Sequence, residues 1–83
     1  MGFIAHGRKV AESGDEVRYA VGVAPADVDA PGAGVVVIPV ADPEGWSVVG
    51  GDTDDPVARR ILGKAVRAWR ETGAWPERVA YYS

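Results

Sequence analysis

One amphipathic stretch in the C-terminal half, DDPVARRILGKAVRAWRETG at residues 54–73, constrains the fold more than any other part of the chain. Its apolar residues are spaced so that they fall on one side of an α-helix. These residues are Val57, Ile61, Leu62, Ala65, Val66 and Trp69. The sequence therefore predicts an amphipathic helix over about residues 55–72, with one face packed against the remaining chain.

Both ends of this helix carry recognisable signals. Asp55 can accept a hydrogen bond from the first free backbone N–H groups, and Pro56 suits the first helical position because no N–H is needed there. Asp52 and Asp54 place negative charge near the positive end of the helix dipole. Gly73 can adopt the left-handed conformation that commonly ends a helix. We therefore interpret the three aspartates as parts of the helix start rather than as metal ligands.

The rest of the chain has the alternating apolar pattern and turn residues of short strands. Strands are expected at about residues 3–11, 17–23, 35–40 and 46–49, with a fifth at 78–82 after the helix. The prediction is a single α+β domain spanning residues 1–83, in which the helix packs on one face of an antiparallel sheet. Strand order stays open, and the helix could also connect two neighbouring parallel strands.

Residues 24–34 form the longest stretch without a helix or strand pattern. The segment contains two prolines and two glycines, which is typical of a loop. Loops of this length sometimes carry function. The sequence alone assigns this one no role.

The chain lacks the residue combinations on which most catalytic sites depend. It contains no cysteine, His6 is the only histidine, and its three serines, Ser13, Ser47 and Ser83, lie in separate segments. No nucleophile can be matched with a base and an orienting group. The acidic cluster before the helix lacks the spacing of a calcium loop. We therefore expect a protein without enzymatic activity, metal or cofactor.

The composition also favours a cellular setting. The N-terminus lacks the long apolar segment of a signal peptide, and the apolar run at residues 35–41 is too short to cross a membrane. A small fold without disulfides suits the cytoplasm. The absence of asparagine and glutamine, with seven arginines against two lysines, is typical of a bacterial genome rich in G and C.

Charge is divided unevenly along the chain. Residues 1–55 carry three basic and ten acidic side chains, whereas residues 56–83 carry six basic and two acidic ones. The basic side chains on the outer face of the predicted helix include Arg60, Lys64, Arg67 and Arg70. Three interpretations compete: a face that binds a protein partner, a face that binds nucleic acid, and an ordinary solvated helix surface.

Between the two functional interpretations, the net charge of −3 favours a protein partner, because nucleic-acid-binding domains are usually basic overall. We therefore expect a small interaction or regulatory protein that acts by surface complementarity with a protein partner. The alternative is a nucleic-acid-binding regulator that uses the arginine-rich helix face.

The third predicted strand is apolar on both faces, although one helix can cover only one face of the sheet. If Val36 and Ile38 face the helix, Val35 and Val37 face the other way. We expect this second face to pair with a second copy of the chain, most simply as a two-fold dimer. In the alternative, a monomer, Arg8, Arg18 and the loop at residues 24–34 shield that face.

The three tryptophans receive separate predictions. Trp69 closes the apolar stripe of the helix, and Trp46 alternates with Val48, so both are expected in the core. Trp75 follows the helix end and is expected to be partly exposed, packing the chain back onto the helix.

Overall fold

The computed structural model describes residues 3–82. Within them are five strands and one long helix: β1 (Ile4–Glu12), β2 (Glu16–Gly22), β3 (Gly34–Pro39), β4 (Ser47–Val49), α1 (Pro56–Thr72) and β5 (Arg78–Tyr82). Two short 3₁₀ helices, Pro25–Asp29 and Pro43–Gly45, lie before and after β3. The predicted α+β fold of an antiparallel sheet and one helix is confirmed.

The strand order across the sheet is β4-β3-β2-β1-β5, and every neighbouring pair is antiparallel. Helix α1 follows β4 at one edge of the sheet and leads to β5 at the other. The alternative in which the helix connects two neighbouring parallel strands is therefore wrong. Because β5 pairs with β1, the two ends of the described chain lie side by side.

The core lies between α1 and one face of the sheet. From the sheet side, its buried members are Ala5, Val17, Tyr19, Val21, Val36, Ile38 and Val79. The helix packs closely on Gly7 of β1, where a Cβ atom would lie only 2.5 Å from Cγ2 of Ile61. The absent side chain at Gly7 therefore lets α1 pack directly against the middle of β1.

The ends of α1 are formed as predicted. The backbone N–H of Val57 donates to Oδ1 of Asp55 at 2.9 Å, and Pro56 is the first helical residue. At the other end Gly73 has a φ of 79°, and its N–H donates to the carbonyl of Trp69 at 2.7 Å. Local chemistry thus fixes both helix ends.

The buried line of α1 differs from the predicted stripe. Its centre is Ala58, Ile61 and Ala65, whereas Leu62 and Val66 are only half-buried. Small side chains at two of these positions let the helix lie close to the sheet. The large residues on the flank of the stripe consequently remain partly open to solvent.

The prediction that Trp75 is partly exposed was wrong, because only 6% of its surface is exposed. Its ring stacks on that of Trp69, with centroids 4.8 Å apart and planes 5° from parallel. The carbonyl of Trp75 also accepts a hydrogen bond from Nζ of Lys9 at 3.3 Å. The expected packing of the chain back onto the helix is present, and it buries Trp75 more fully than the half-buried Trp69.

The segment at residues 24–34, which the sequence predicted only as a loop, contains the Pro25–Asp29 helix on the face of the sheet away from α1. Val28 of this helix is 3% exposed. Nε of Arg8 on β1 lies 2.7 Å from Oδ1 of Asp29. Gly22 of β2 has no side chain where one would collide with Asp27. The loop therefore covers part of the second sheet face.

Candidate functional site: a basic helix face between two grooves

Helix α1 presents the four predicted partner-binding residues, Arg60, Lys64, Arg67 and Arg70, as exposed side chains. They do not converge on one point. The guanidinium carbon of Arg60 lies 5.1 Å from the ring centre of Tyr81, so this residue lies near β5. Lys64 and Arg70 line two different grooves, and Arg67 lines both of them.

The larger groove has a volume of about 730 Å³ and lies between α1 and the Pro43–Gly45 helix. Its apolar lining consists of Trp46, Leu62 and Val66, for which we name it the tryptophan groove. Its charged lining consists of Glu44, Arg67, Arg70 and Glu71. An apolar floor with charged side chains at its margin is the usual composition of a site that binds part of another molecule.

Gly63, in the middle of α1, also lines the tryptophan groove. No atom of residues 3–82 lies within 4 Å of the position that its Cβ would occupy, so close packing does not explain this glycine. Glycine in a helix interior destabilises the helix by about 1 kcal/mol relative to alanine. The absence of a side chain at Gly63 leaves open space at this point of the groove lining.

The second groove lies between α1 and β5, the edge strand, and has a volume of about 470 Å³. We name it the edge groove. Its charged lining consists of Lys64, Arg67, Glu71 and Arg78. Three of the four charges are positive, so this groove is basic.

Ion pairing differs among these side chains. Arg67 lies 3.7 Å from Glu71, a separation that gives a weak surface ion pair. Within residues 3–82, neither Lys64 nor Arg70 has an acidic partner within 4.0 Å. Arg70 lies in the last turn of α1, where a positive charge also stabilises the helix dipole. Among the described residues, the tryptophan groove therefore has one cation without an acidic partner, Arg70, and the edge groove has two, Lys64 and Arg78.

Tyr19 is a titratable group whose pKa is changed by the fold. Burial raises the pKa of its phenol above the ordinary value of 10.0, and the negative charges of Glu12 and Glu77 raise it further. Its hydroxyl donates to the carbonyl of Pro76 at 2.6 Å. This bond ties β2 to the segment that precedes β5, so we assign Tyr19 a structural role.

His6 lies on β1, on the sheet face away from α1, and its ring meets that of Tyr82 edge to face at 5.7 Å. Ser47 is on β4, three strands away, and the hydroxyl of Ser13 accepts hydrogen bonds from the turn that leads into β2. Ser83 lies outside the described residues. Among residues 3–82, no three His, Asp or Glu side chains are grouped so that they could hold a metal ion.

The two residues predicted for a dimer contact, Val35 and Val37, lie on the sheet face away from α1. They pair in register with Ala20 and Arg18 of β2, and both are half-buried. Val49 of β4, opposite Val35, is 57% exposed. The predicted direction of these side chains is thus confirmed, while pairing with a second copy stays a prediction.

The apolar patterns of the sequence predict a core position for three residues of the tryptophan groove: Trp46, Leu62 and Val66. These patterns predict no role for Gly63. Two signals point to the groove in retrospect. The apolar stripe of α1 is wider than a single contact line needs, and a glycine interrupts an otherwise strong helix pattern.

None of the helices within residues 3–82 combines the length and the apolar character that a membrane-spanning helix needs. Comparisons of the chain with protein-family models, with curated proteins and with solved structures found no match.

Proposed function

We propose that this chain is a small non-enzymatic interaction or regulatory protein that binds a protein partner through the basic face of α1 and the adjoining tryptophan groove. The observation that carries the proposal is the groove itself, in which an accessible tryptophan lies beside two arginines. Tryptophan and arginine are the residues that most often dominate binding energy at protein interfaces. The cytoplasm is the setting that we propose for this interaction.

The groove chemistry defines the kind of partner surface that would fit. Trp46, Leu62 and Val66 would take up an apolar side chain. Arg67 and Arg70 would bind carboxylates beside that side chain, because guanidinium groups pair with carboxylates through two parallel hydrogen bonds. The partner surface should therefore carry a bulky apolar residue flanked by aspartate or glutamate.

The second candidate function is binding of nucleic acid by the same helix face. It is supported by the row of cations formed by Arg60, Lys64 and Arg67, which phosphates could neutralise. Against it, Arg60 already lies against Tyr81, Arg67 lies beside Glu71, and the chain as a whole has a net charge of −3. We therefore retain it as the alternative.

Site-directed photo-crosslinking tests the proposal. The photoreactive amino acid p-benzoylphenylalanine replaces Glu44, at the margin of the tryptophan groove, and the chain is irradiated in an extract of the organism that encodes it. We expect crosslinking to one protein, insensitive to nuclease. Arg70→Glu should reduce the yield, because it reverses a charge at the groove.

Two controls are matched to this design. The same photoreactive residue at Gly14, in the turn before β2, should not capture that protein. Arg59→Glu changes the charge of the same helix by the same amount, outside the groove, and should leave the yield unchanged. Crosslinks that disappear with nuclease would favour the nucleic-acid alternative. The same products from Glu44 and Gly14 would contradict both functions.

A further inference from the structure

The edge strand β5 offers an unused set of backbone hydrogen-bonding groups. The N–H of Lys9 donates to the carbonyl of Glu77 at 2.8 Å, next to the paired residues Arg8 and Arg78. In an antiparallel strand, the backbone N–H and C=O groups of every second residue point to the same neighbouring strand. The backbone groups of Val79 therefore also bond to β1. The backbone groups of Arg78, Ala80 and Tyr82 therefore point away from the sheet, where no strand of the described chain pairs with them.

The central part of this edge borders a cavity on each face of the sheet. Residues Arg78, Val79 and Ala80 line the edge groove on the α1 side. The same three residues line a cavity of about 230 Å³ on the opposite face, together with His6, Pro25 and Val28. An added strand would direct alternate side chains to these two sides. One set would meet Lys64 and Arg67, and the other would meet Pro25 and Val28.

We propose that the free edge of β5 accepts an extended, acidic segment of the partner protein as a sixth strand of the sheet. Strand addition of this kind obtains affinity from main-chain hydrogen bonds and specificity from pockets for alternate side chains. The inference rests on the proposed function, that the chain binds a protein partner, and identifies a second contact with it.

The charged side chains beside the edge indicate which side chains the added segment should carry. On the α1 side of the edge, Lys64 and Arg67 line the groove beside Glu71, and Arg60 lies against Tyr81 of β5. Arg78 lines the cavities on both sides. Acidic side chains on the α1 side would pair with the excess of positive charge. The opposite cavity is lined by His6 and Arg78 as well as by Pro25, Val28 and Ala80, and its apolar part suits a small apolar side chain. The segment should therefore alternate acidic and small apolar residues.

A second copy of this chain fits the edge less well. Two β5 strands paired antiparallel about a two-fold axis would carry both α1 helices on the same face of a continuous sheet. Lys64 and Arg67 of each copy would then lie near their counterparts, and like charges repel. The other edge strand, β4, is only three residues long, which is a common protection against strand addition.

The test uses an acetylated and amidated octapeptide of alternating glutamate and valine, titrated into the full chain and followed by two-dimensional amide NMR. We expect a Kd of about 100 μM or tighter. Amide hydrogen exchange at Arg78, Ala80 and Tyr82 should slow by about tenfold at saturation, because these N–H groups gain acceptors. An alternating lysine–valine peptide should bind at least about tenfold more weakly.

Two variants separate strand addition from simple charge attraction. Ala80→Pro removes an outward N–H without removing a bond to β1, and it should abolish binding. If this variant fails to fold, a peptide N-methylated at one central glutamate and one central valine replaces it. Either edge of that peptide then lacks one N–H donor, so it cannot pair fully with β5 in either orientation. Lys64→Glu/Arg67→Glu should weaken binding, whereas the matched Arg18→Glu/Arg59→Glu should not.

The inference would be overturned if no peptide bound at 1 mM, or if the N-methylated peptide bound as tightly as the unmodified one. It would also be overturned if the chain self-associated through the edge of β5 and Ala80→Pro abolished that association. Arg70→Glu distinguishes the two proposals, because it alters the tryptophan groove and should leave peptide binding unchanged. If the peptide fails while the crosslink at Glu44 holds, only the strand-addition inference is wrong.

Discussion

The phenol of Tyr19 couples the stability of the fold to pH. Because burial raises its pKa above the ordinary 10.0, the folded chain holds the phenol proton more tightly than the unfolded chain does. Stability from this group is fully present below pH 10 and is lost as the pH rises towards the higher pKa of the folded state. We expect the free energy of unfolding to fall above pH 10, measured by urea denaturation at a series of pH values.

The Tyr19→Phe variant provides the control for this pH dependence. It leaves the carbonyl of Pro76 without its hydroxyl donor, so it should cost about 0.5–1.5 kcal/mol at neutral pH. The difference between the stability curves of the two proteins isolates the contribution of Tyr19. A variant that loses stability above pH 10 as steeply as the parent would contradict this assignment.

The stacked pair Trp69 and Trp75 gives a second prediction at the residue scale. Trp75 is the more buried ring, so Trp75→Ala should cost about 3–5 kcal/mol, the usual range for truncation of a buried large aromatic. Trp69→Ala should cost less, because its ring is half-buried. Urea denaturation of both variants and the double variant should also reveal a coupling of about 0.5–1.5 kcal/mol. A larger loss at Trp69 than at Trp75 would reverse this ranking.

At the scale of elements, the sequence predicted most reliably what local chemistry decides. Asp55 and Gly73 fix the ends of α1 through contacts with near neighbours in the chain, and both ends are confirmed. The close packing of α1 on Gly7, which is distant in sequence, is not specified by the helix pattern. The predicted stripe also did not include Ala58, which the structure buries. The Pro25–Asp29 helix was missed for a similar reason, since Val28 is buried only because the sheet lies beneath it.

Gly63 provides the prediction that belongs to α1. Gly63→Ala should stabilise the chain by about 0.5–1 kcal/mol, because alanine is the better helix former and the new methyl group would have no described atom within 4 Å. Gly63→Trp should fill the tryptophan groove and reduce the crosslink from Glu44. Denaturation midpoints and crosslink yields measure the two effects. If Gly63→Trp left the yield unchanged, the groove would not be the partner site.

At the scale of the whole molecule, the sequence predicted the two layers but neither the strand order nor the grooves. The pairing of β5 with β1 joins residues at opposite ends of the described chain, and no local pattern specifies such a contact. The grooves result from where α1 lies across the sheet. The four basic residues were predicted as one partner-binding group. Three of them, Lys64, Arg67 and Arg70, instead line two grooves, because the exposed face of α1 lies between β5 and the Pro43–Gly45 helix. The fourth, Arg60, lies against Tyr81.

The face of the sheet away from α1 has two parts with different surroundings. Over β1 and β2, the Pro25–Asp29 helix and the ion pair of Arg8 with Asp29 provide a cover, as the monomer alternative anticipated. Over β3 and β4, an apolar strip of Val35, Val37 and Val49 has no such cover from the part of the chain that the structure describes. The surface open to a second copy is therefore smaller than the whole face, and a smaller apolar contact gives a weaker dimer.

We accordingly expect weak self-association through this strip, with a Kd of about 0.1–1 mM. Light scattering from about 10 to 500 μM should reveal a rising average mass, since a substantial fraction would be dimeric at the upper limit. Val35→Glu/Val37→Glu should restore the monomer mass while the chain stays folded, because both side chains point away from the core. Ala80→Pro should leave the mass unchanged, since β5 lies at the far edge of the sheet from this strip. A constant monomer mass across the whole range would contradict this prediction. The three valines would then be an ordinary exposed strip, and the cover that the Pro25–Asp29 helix gives this sheet face would be sufficient for the monomer.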